Sequence, residues 1–220
     1  MRRLLATALA LGSCAWVTAQ TPAPNADTVA RALQQRYQTI TDFSADFVHT
    51  YRGGMLRTKT SERGTVKIKK PGKMRWVYTA PEPKEFVSDG VKIYSHIPQD
   101  RQVRVSPVPA DSDAATPALF LAGKGDIARD FTASIVESPV AGAVGLKLTP
   151  KKPEPQYEYF VVATSQPGLQ IRALATHDLQ GGDSVITFVN LKENQGISDK
   201  EFAFRIPKGA DVITDGAGNR

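Results

Sequence analysis

Residues Arg63 to Tyr78 read RGTVKIKKPGKMRWVY, and this stretch decides the fold. Taken as strand, Val66 and Ile68 share one face while Thr65, Lys67 and Lys69 take the other. Pro71-Gly72 supplies a turn, because proline presets φ at one central position and glycine accepts the positive φ of a type II turn. The return strand places Met74, Trp76 and Tyr78 together, against Lys73, Arg75 and Val77. The pattern predicts a hairpin with one apolar and one cationic face. Lys70 breaks the alternation, since by parity it joins Val66 and Ile68. Either the turn swings its ammonium into water, or the cation bonds something that covers the apolar face. Spacing alone leaves both readings open.

The N-terminus stands apart from the fold. Met1-Arg2-Arg3 is basic, Leu4 to Ala15 is almost wholly apolar, and Val17-Thr18-Ala19 has the small residues of a cleavage site. Residues 1–19 are therefore expected to be a secretory signal peptide, too short for a spanning helix. Leu11-Gly12-Ser13-Cys14 offers a competing reading as a lipobox, which would make Cys14 an acylated first residue. Ala15-Trp16-Val17 continues the apolar run where a polar tether would begin, which favours cleavage after Ala19. Of the 220 residues, 20–220 then form a single mature domain with 26 basic and 22 acidic side chains. Cys14 is the only cysteine, so no disulfide and no thiolate metal site is expected in that domain. Export argues against nucleic acid, and the basic residues alternate with apolar ones as on a solvated face.

The remainder reads as helix, strands, short helix, strands. Val29, Leu33, Tyr37 and Ile40 make a helical stripe, with Asp27 as N-cap or first-turn acid. Phe43, Ala45, Phe47, His49 and Tyr51 alternate as a strand. Ser88-Asp89-Gly90 turns a second hairpin, and Val103 with Val105 marks another strand. Ser106 to Thr116 reads as loop, after which Thr116 caps a short helix with Pro117 first and Gly123 as the stop. Its Leu119-Phe120-Leu121 is apolar all round and must be covered. Strands are expected over 132–136, 144–149, 157–163, 169–177, 184–191 and 202–206. The class is α+β: a strongly curved antiparallel sheet of about 10–11 strands whose concave side is plugged by two or three helices.

No nucleophile elbow, zinc-protease helix, phosphate loop or paired-cysteine motif is present. The three histidines are far apart, and neither His96 nor His177 has a carboxylate nearby on its own strand face. What remains is a load of large apolar groups facing one way, either an ordinary core or the lining of a cavity.

The chain resembles the LolA-type family of periplasmic carriers of outer-membrane lipoproteins. The resembling pieces are Phe43-x-Ala45-x-Phe47, Gly64-x-Val66-x-Ile68-Lys69-Lys70-Pro71 before Trp76, Val87-Ser88-Asp89-Gly90, Thr116-Pro117, and Phe202-x-Phe204 leading to Ile206-Pro207-Lys208-Gly209. Their order and spacing cover nearly the whole mature sequence. The resemblance implies an incomplete β-barrel with a helical lid over a hydrophobic cavity, a monomer, no cofactor and no catalysis. It implies acylated lipoproteins as cargo, received from an inner-membrane ABC-type release complex and delivered to an outer-membrane receptor. Phe43, Phe47, Val66, Ile68, Met74, Trp76 and Tyr78 would then line the acyl-chain cavity, with Leu119, Phe120 and Leu121 as lid. Lys70 stands where the family commonly has an arginine that bonds lid carbonyls, which makes it the expected latch. Met74 stands where relatives can carry an aromatic. Two alternatives remain: a lipid-anchored receptor of the same fold, if Cys14 is acylated, or an envelope enzyme acting on lipids or glycans.

Overall fold

A computed structural model describes residues 25–53, 59–109 and 116–215. The expected signal segment with Cys14, and Asp111 and Asp113 of the expected loop, lie outside the described residues. Helix α1 (Ala26–Gln38) opens the described chain. Asn25, rather than Asp27, is its N-cap, accepting from the Thr28 N–H at 3.2 Å, while Asp27 sits in the first turn. Strands β1 (Asp42–Arg52), β2 (Lys59–Lys69), β3 (Lys73–Ala80), β4 (Lys84–Asp89), β5 (Lys92–Ile97) and β6 (Gln102–Pro107) follow as a meander. Helices α2 (Pro117–Leu121) and α3 (Ile127–Asp130) come next. The chain then adds β7 (Phe131–Val136), β8 (Ala143–Pro150), β9 (Tyr159–Ser165), β10 (Ile171–His177), β11 (Asp183–Glu193) and β12 (Asp211–Thr214).

All 12 strands form one sheet in the order β12-β6-β5-β4-β3-β2-β1-β11-β10-β9-β8-β7. β11 closes onto β1, which joins the two meanders, while β12 and β7 remain as edges. Register shifts between Ser44 and Asp46 and between Ile171 and Ala173 add local twist, helping a sheet this wide to curl. Phe43, Phe47, Ile68, Trp76, Phe160, Leu174 and Phe188 belong to one core cluster on the concave side, with Leu33 and Tyr37 of α1 and Leu119 to Leu121 of α2.

The central hairpin follows its predicted parity. Met74, Trp76 and Tyr78 are buried, while Lys73, Arg75 and Val77 are half-buried. Lys69 pairs with Lys73 across the turn, in which Gly72 has the expected positive φ, 75°, and the Lys70–Pro71 peptide is cis. Gly64 has a different duty. A Cβ there would lie 2.0 Å from the Val77 carbonyl oxygen and 2.9 Å from the Phe47 ring, so only glycine lets the strands and that ring close up.

Two expectations fail at the C-terminal end. Residues 202–206 are not a strand: Asp199–Phe202 is a 3₁₀ turn, and the chain beyond it runs without a ladder. The unforeseen strand is β12, paired parallel to β6. The cationic face of the hairpin is also not simply solvated. Asp42, only 3% exposed, accepts the N–H groups of Gln195 and Gly196 and turns the chain after β11 back across that face. The segment from Ile197 to Phe204 then straps it. Lys69 bonds the Ile197 carbonyl and Asp199, Lys73 bonds Asp199, and Lys67 bonds Glu201. Arg75 bonds the Ala203 carbonyl, and Phe204 stacks on Tyr94 at 5.1 Å. Phe202, 1% exposed, is the strap's own core residue.

Candidate functional site

β1, β2 and β3 lie side by side, so their inward positions make a continuous floor: Phe43, Phe47, Val66, Ile68, Met74, Trp76 and Tyr78. All seven are buried. Phe47 is the centre of an aromatic array, edge-on to Trp76 at 5.2 Å and to Tyr78 at 4.8 Å. Phe188 of β11 extends the array toward Trp76 at 6.2 Å and Phe43 at 6.5 Å. Offset and edge-to-face pairs of this kind add about 0.5–1.5 kcal/mol each beyond area burial.

α2 carries the three residues expected as lid. Thr116 accepts from the Leu119 N–H and Pro117 occupies the first turn, so the helix starts where the residue types require. Leu119, Phe120 and Leu121 are buried in the same cluster as the floor. Phe120 stacks on Tyr37 at 5.4 Å and tilts against Phe160 of β9 at 6.0 Å, which ties the lid to α1 and to the second meander. The lid's end is tied to the central hairpin: the Gly72 N–H donates to the Ala122 carbonyl at 2.8 Å. The Tyr37 hydroxyl donates to the Leu121 carbonyl, so two orphaned helix-end acceptors are satisfied.

Lys70 does not turn out into water. Its ammonium donates to a helix-end carbonyl, but the helix is α1: the acceptor is Tyr37 O. The cation also lies 3.5 Å from the centre of the Tyr37 ring. Its methylenes fill the space beside Gly123, where a Cβ would meet Lys70 Cδ at 2.7 Å. One side chain therefore touches the ends of both helices. Burial, then the Arg36 charge, pull the Lys70 ammonium down to about 8, with Glu193 opposing. Tyr37 is the residue the sequence undervalued. It reads as one more member of a helical stripe, yet its ring, hydroxyl and carbonyl bind α2 and Lys70 together. A hydroxyl on a buried stripe was the available signal, since it must find a partner.

The far rim of the concave face is polar. His49 Nδ1 lies 3.1 Å from Glu62 and His49 Nε2 lies 2.8 Å from the Ser184 hydroxyl. Lys84 donates to Glu62 at 2.6 Å and lies over the Tyr78 ring. Burial lowers the His49 pKa, against the pull of Glu62, so the ring is neutral near pH 7. Serine, histidine and carboxylate in this order resemble an acyl-transfer chain. Ser184, however, sits on β11 between β1 and β10. A central strand spends its N–H groups on its two ladders, so the backbone beside Ser184 is engaged and not free to hold an oxyanion. His177, expected to lack a carboxylate, meets Asp183 of the adjacent strand at 2.8 Å, a cross-strand pairing that single-strand parity cannot reveal.

An open groove of about 760 Å³ lies on the other side of the sheet, between Thr50, Arg52, Val161, His177 and Asp183. The predicted floor itself is packed beneath the helices. Among the described residues no helix is long and apolar enough to cross a membrane.

Residues 38–205 match the model of the family described as outer membrane lipoprotein carrier protein LolA. An outer-membrane lipoprotein carrier protein of Chromohalobacter salexigens is 34% identical over 214 residues, 95% of this chain and 97% of that protein. One from Methylobacillus flagellatus is 30% identical over 151 residues, covering 68% and 71%. In fold, the chain is similar to an uncharacterized conserved protein from Thermus thermophilus, with TM-score 0.53, 13% identity, and coverage of 84% and 98%. With the family match spanning the central hairpin, α2 and the strap, this chain belongs to the LolA family of outer membrane lipoprotein carrier proteins.

Proposed function

We propose that this protein is a periplasmic lipoprotein carrier that binds by exchanging one greasy surface for another. The observation that supports the reading is the burial of the seven floor side chains in one apolar cluster with Leu119, Phe120 and Leu121 of α2, whose end is bonded to the hairpin turn. Fully burying three such side chains is worth about 5–9 kcal/mol, and each acyl methylene about 0.8 kcal/mol. Some ten buried methylenes thus match the lid, and a multiply acylated anchor exceeds it. Where only about ten methylenes enter, the loaded and empty states stay near balance, and loading and release need no nucleotide on this protein.

In this reading the cargo comes from an inner-membrane ABC-type release complex and goes to an outer-membrane receptor. The carrier itself catalyses nothing: the names of its relatives are those of carriers, and the backbone beside Ser184 is engaged in sheet ladders. Lys70 is the latch, holding the ends of α1 and α2 against the hairpin turn. Lys70→Leu should accept cargo but deliver it poorly, since lid closure no longer helps expel the acyl chains, whereas Lys70→Arg should at least match the parent.

The direct test is displacement. Folded protein should enhance an apolar fluorophore, and an acylated lipopeptide should compete it off stoichiometrically. Lack of competition by a folded protein would return the floor residues to the status of ordinary core. Mass spectrometry of the native N-terminus separates a carrier starting near Gln20 from a receptor acylated on Cys14.

A further inference from the structure

Among the described residues, three buried side-chain polar atoms have no hydrogen-bond partner: Arg75 Nε, Trp76 Nε1 and Thr164 Oγ1. Arg75 is already held through its other two nitrogens, by Glu85 and the Ala203 carbonyl. Thr164 faces Ile171 and Val144 on the second meander, away from the hairpin. Trp76 is the one that stands on the floor of the candidate site. It is 5% exposed, and its cross-strand neighbours are Val66 and Phe86. Its nearest rings are Phe47 and Phe188, whose faces offer only weak N–H···π contacts. Three neighbouring polar groups are satisfied: Tyr37 by the Leu121 carbonyl, Lys70 by the Tyr37 carbonyl, and Ser88 by the Gly72 carbonyl.

An indole N–H is a donor with no accepting role, and a buried donor left unpaired is a standing cost that phenylalanine would not carry. We infer that Trp76 is the polar anchor of the site, donating Nε1–H to a carbonyl oxygen of a bound acyl ester or amide. This rests on the lipoprotein-carrier reading and adds a chemical selectivity to it. Hydrocarbon alone fills the floor but leaves the indole unpaired. An acylated anchor brings a carbonyl at the head of each chain and satisfies it, so the site distinguishes acyl groups from equally greasy alkyl groups. β3 is flanked by β2 and β4, which fixes the donor's position and hence the depth to which the chains enter.

The experiment compares two lipopeptides of equal chain length, one diacyl through esters and one dialkyl through ethers, as competitors of an apolar fluorophore. The parent should prefer the ester by about 3- to 10-fold, the effect of one buried hydrogen bond. Trp76→Phe should bind both within twofold of each other. In the parent, the indole N–H proton resonance, assigned by its loss in Trp76→Phe, should move downfield with the ester and stay near its free position with the ether. Equal affinities in the parent, or an ester preference that survives in Trp76→Phe, would overturn the anchor and leave the carrier reading standing. If Trp76→Phe does not fold, the parent's indole shift decides alone, and an unmoved resonance with bound ester overturns the anchor. Displacement by neither ligand would overturn the carrier reading and the anchor with it.

Discussion

The two faces of the central hairpin are covered in opposite ways. On the concave side, Val66, Ile68, Met74 and Trp76 share one buried apolar cluster with Leu119, Phe120 and Leu121 of α2, and Lys70 is the cation at the helix ends beside it. On the convex side, Lys67, Lys69 and Lys73 meet Asp199 and Glu201 of the C-terminal strap, with one phenylalanine inserted. The two covers differ in what can replace them. Apolar contacts are non-directional, so another apolar body replaces them without loss. Ion pairs with backbone carbonyl bonds are directional, and acyl chains offer nothing in exchange. In the exchange proposed above, the strap would hold the hairpin's outer face in place while its inner face trades partners.

The contrast breaks most readily at its tightest point. Gly64→Ala should have the largest effect, about 4–5 kcal/mol or outright failure to fold, because the clash is with the Val77 carbonyl and not a movable side chain. Phe47→Ala should cost about 3–5 kcal/mol through the cavity it leaves among Trp76, Tyr78 and Gly64. Urea denaturation checks both, and a loss below about 2 kcal/mol would mean that the concave side is not tightly packed. Phe202→Ala should fall at the low end of the same range, about 3 kcal/mol, because a surface strap can settle into the space. Hydrogen exchange should then rise in residues 199–204 and remain unchanged in the lid. Equal loosening of both covers would break the distinction between them.

A smaller effect belongs to Lys70. Its folded pKa, lowered to about 8 by burial, lies below the ordinary 10.5. Between those values the unfolded chain holds a proton that the folded chain has released, so stability rises with pH through the window. Below about 8 the folded state bears the full cost of the half-buried cation. Denaturation curves between pH 7.5 and 9.5 should show this rise in the parent. Both Lys70→Leu and Lys70→Arg should lack it, the second because a guanidinium stays charged. A slope that persists in either variant assigns the titration elsewhere.

The smallest effect is expected from Asp199→Asn. Hydrogen bonds from Lys69 and Lys73 hold the exposed carboxylate down at about 2, so its contribution is present above about pH 4 and fades as pH falls toward 2. The variant should resemble the parent at high salt and differ from it slightly at low salt, as screening of exposed pairs requires. A large loss at neutral pH would show that charge, and not Phe202, seats the strap.

The sequence by itself determined the hairpin, the sides taken by Met74, Trp76 and Tyr78, the capped start of α2 and the break at Lys70. Each of these depends on side-chain parity or on residues within one turn of each other, which is information the chain carries locally. It misjudged residues 202–206 for the same reason. Phe202 and Phe204 alternate like a strand, but a lone alternation has no ladder until another strand offers one, and β12 took that place beside β6. What covers each face depends on residues far apart in the chain. Lys69 and Ile197 are 128 residues apart, Lys70 and Tyr37 33 apart, and Tyr37 and Leu121 84 apart. Parity says that a face needs covering. Which distant segment arrives, and whether it brings grease or charge, is settled by the closure of the sheet that carries β11 back to β1.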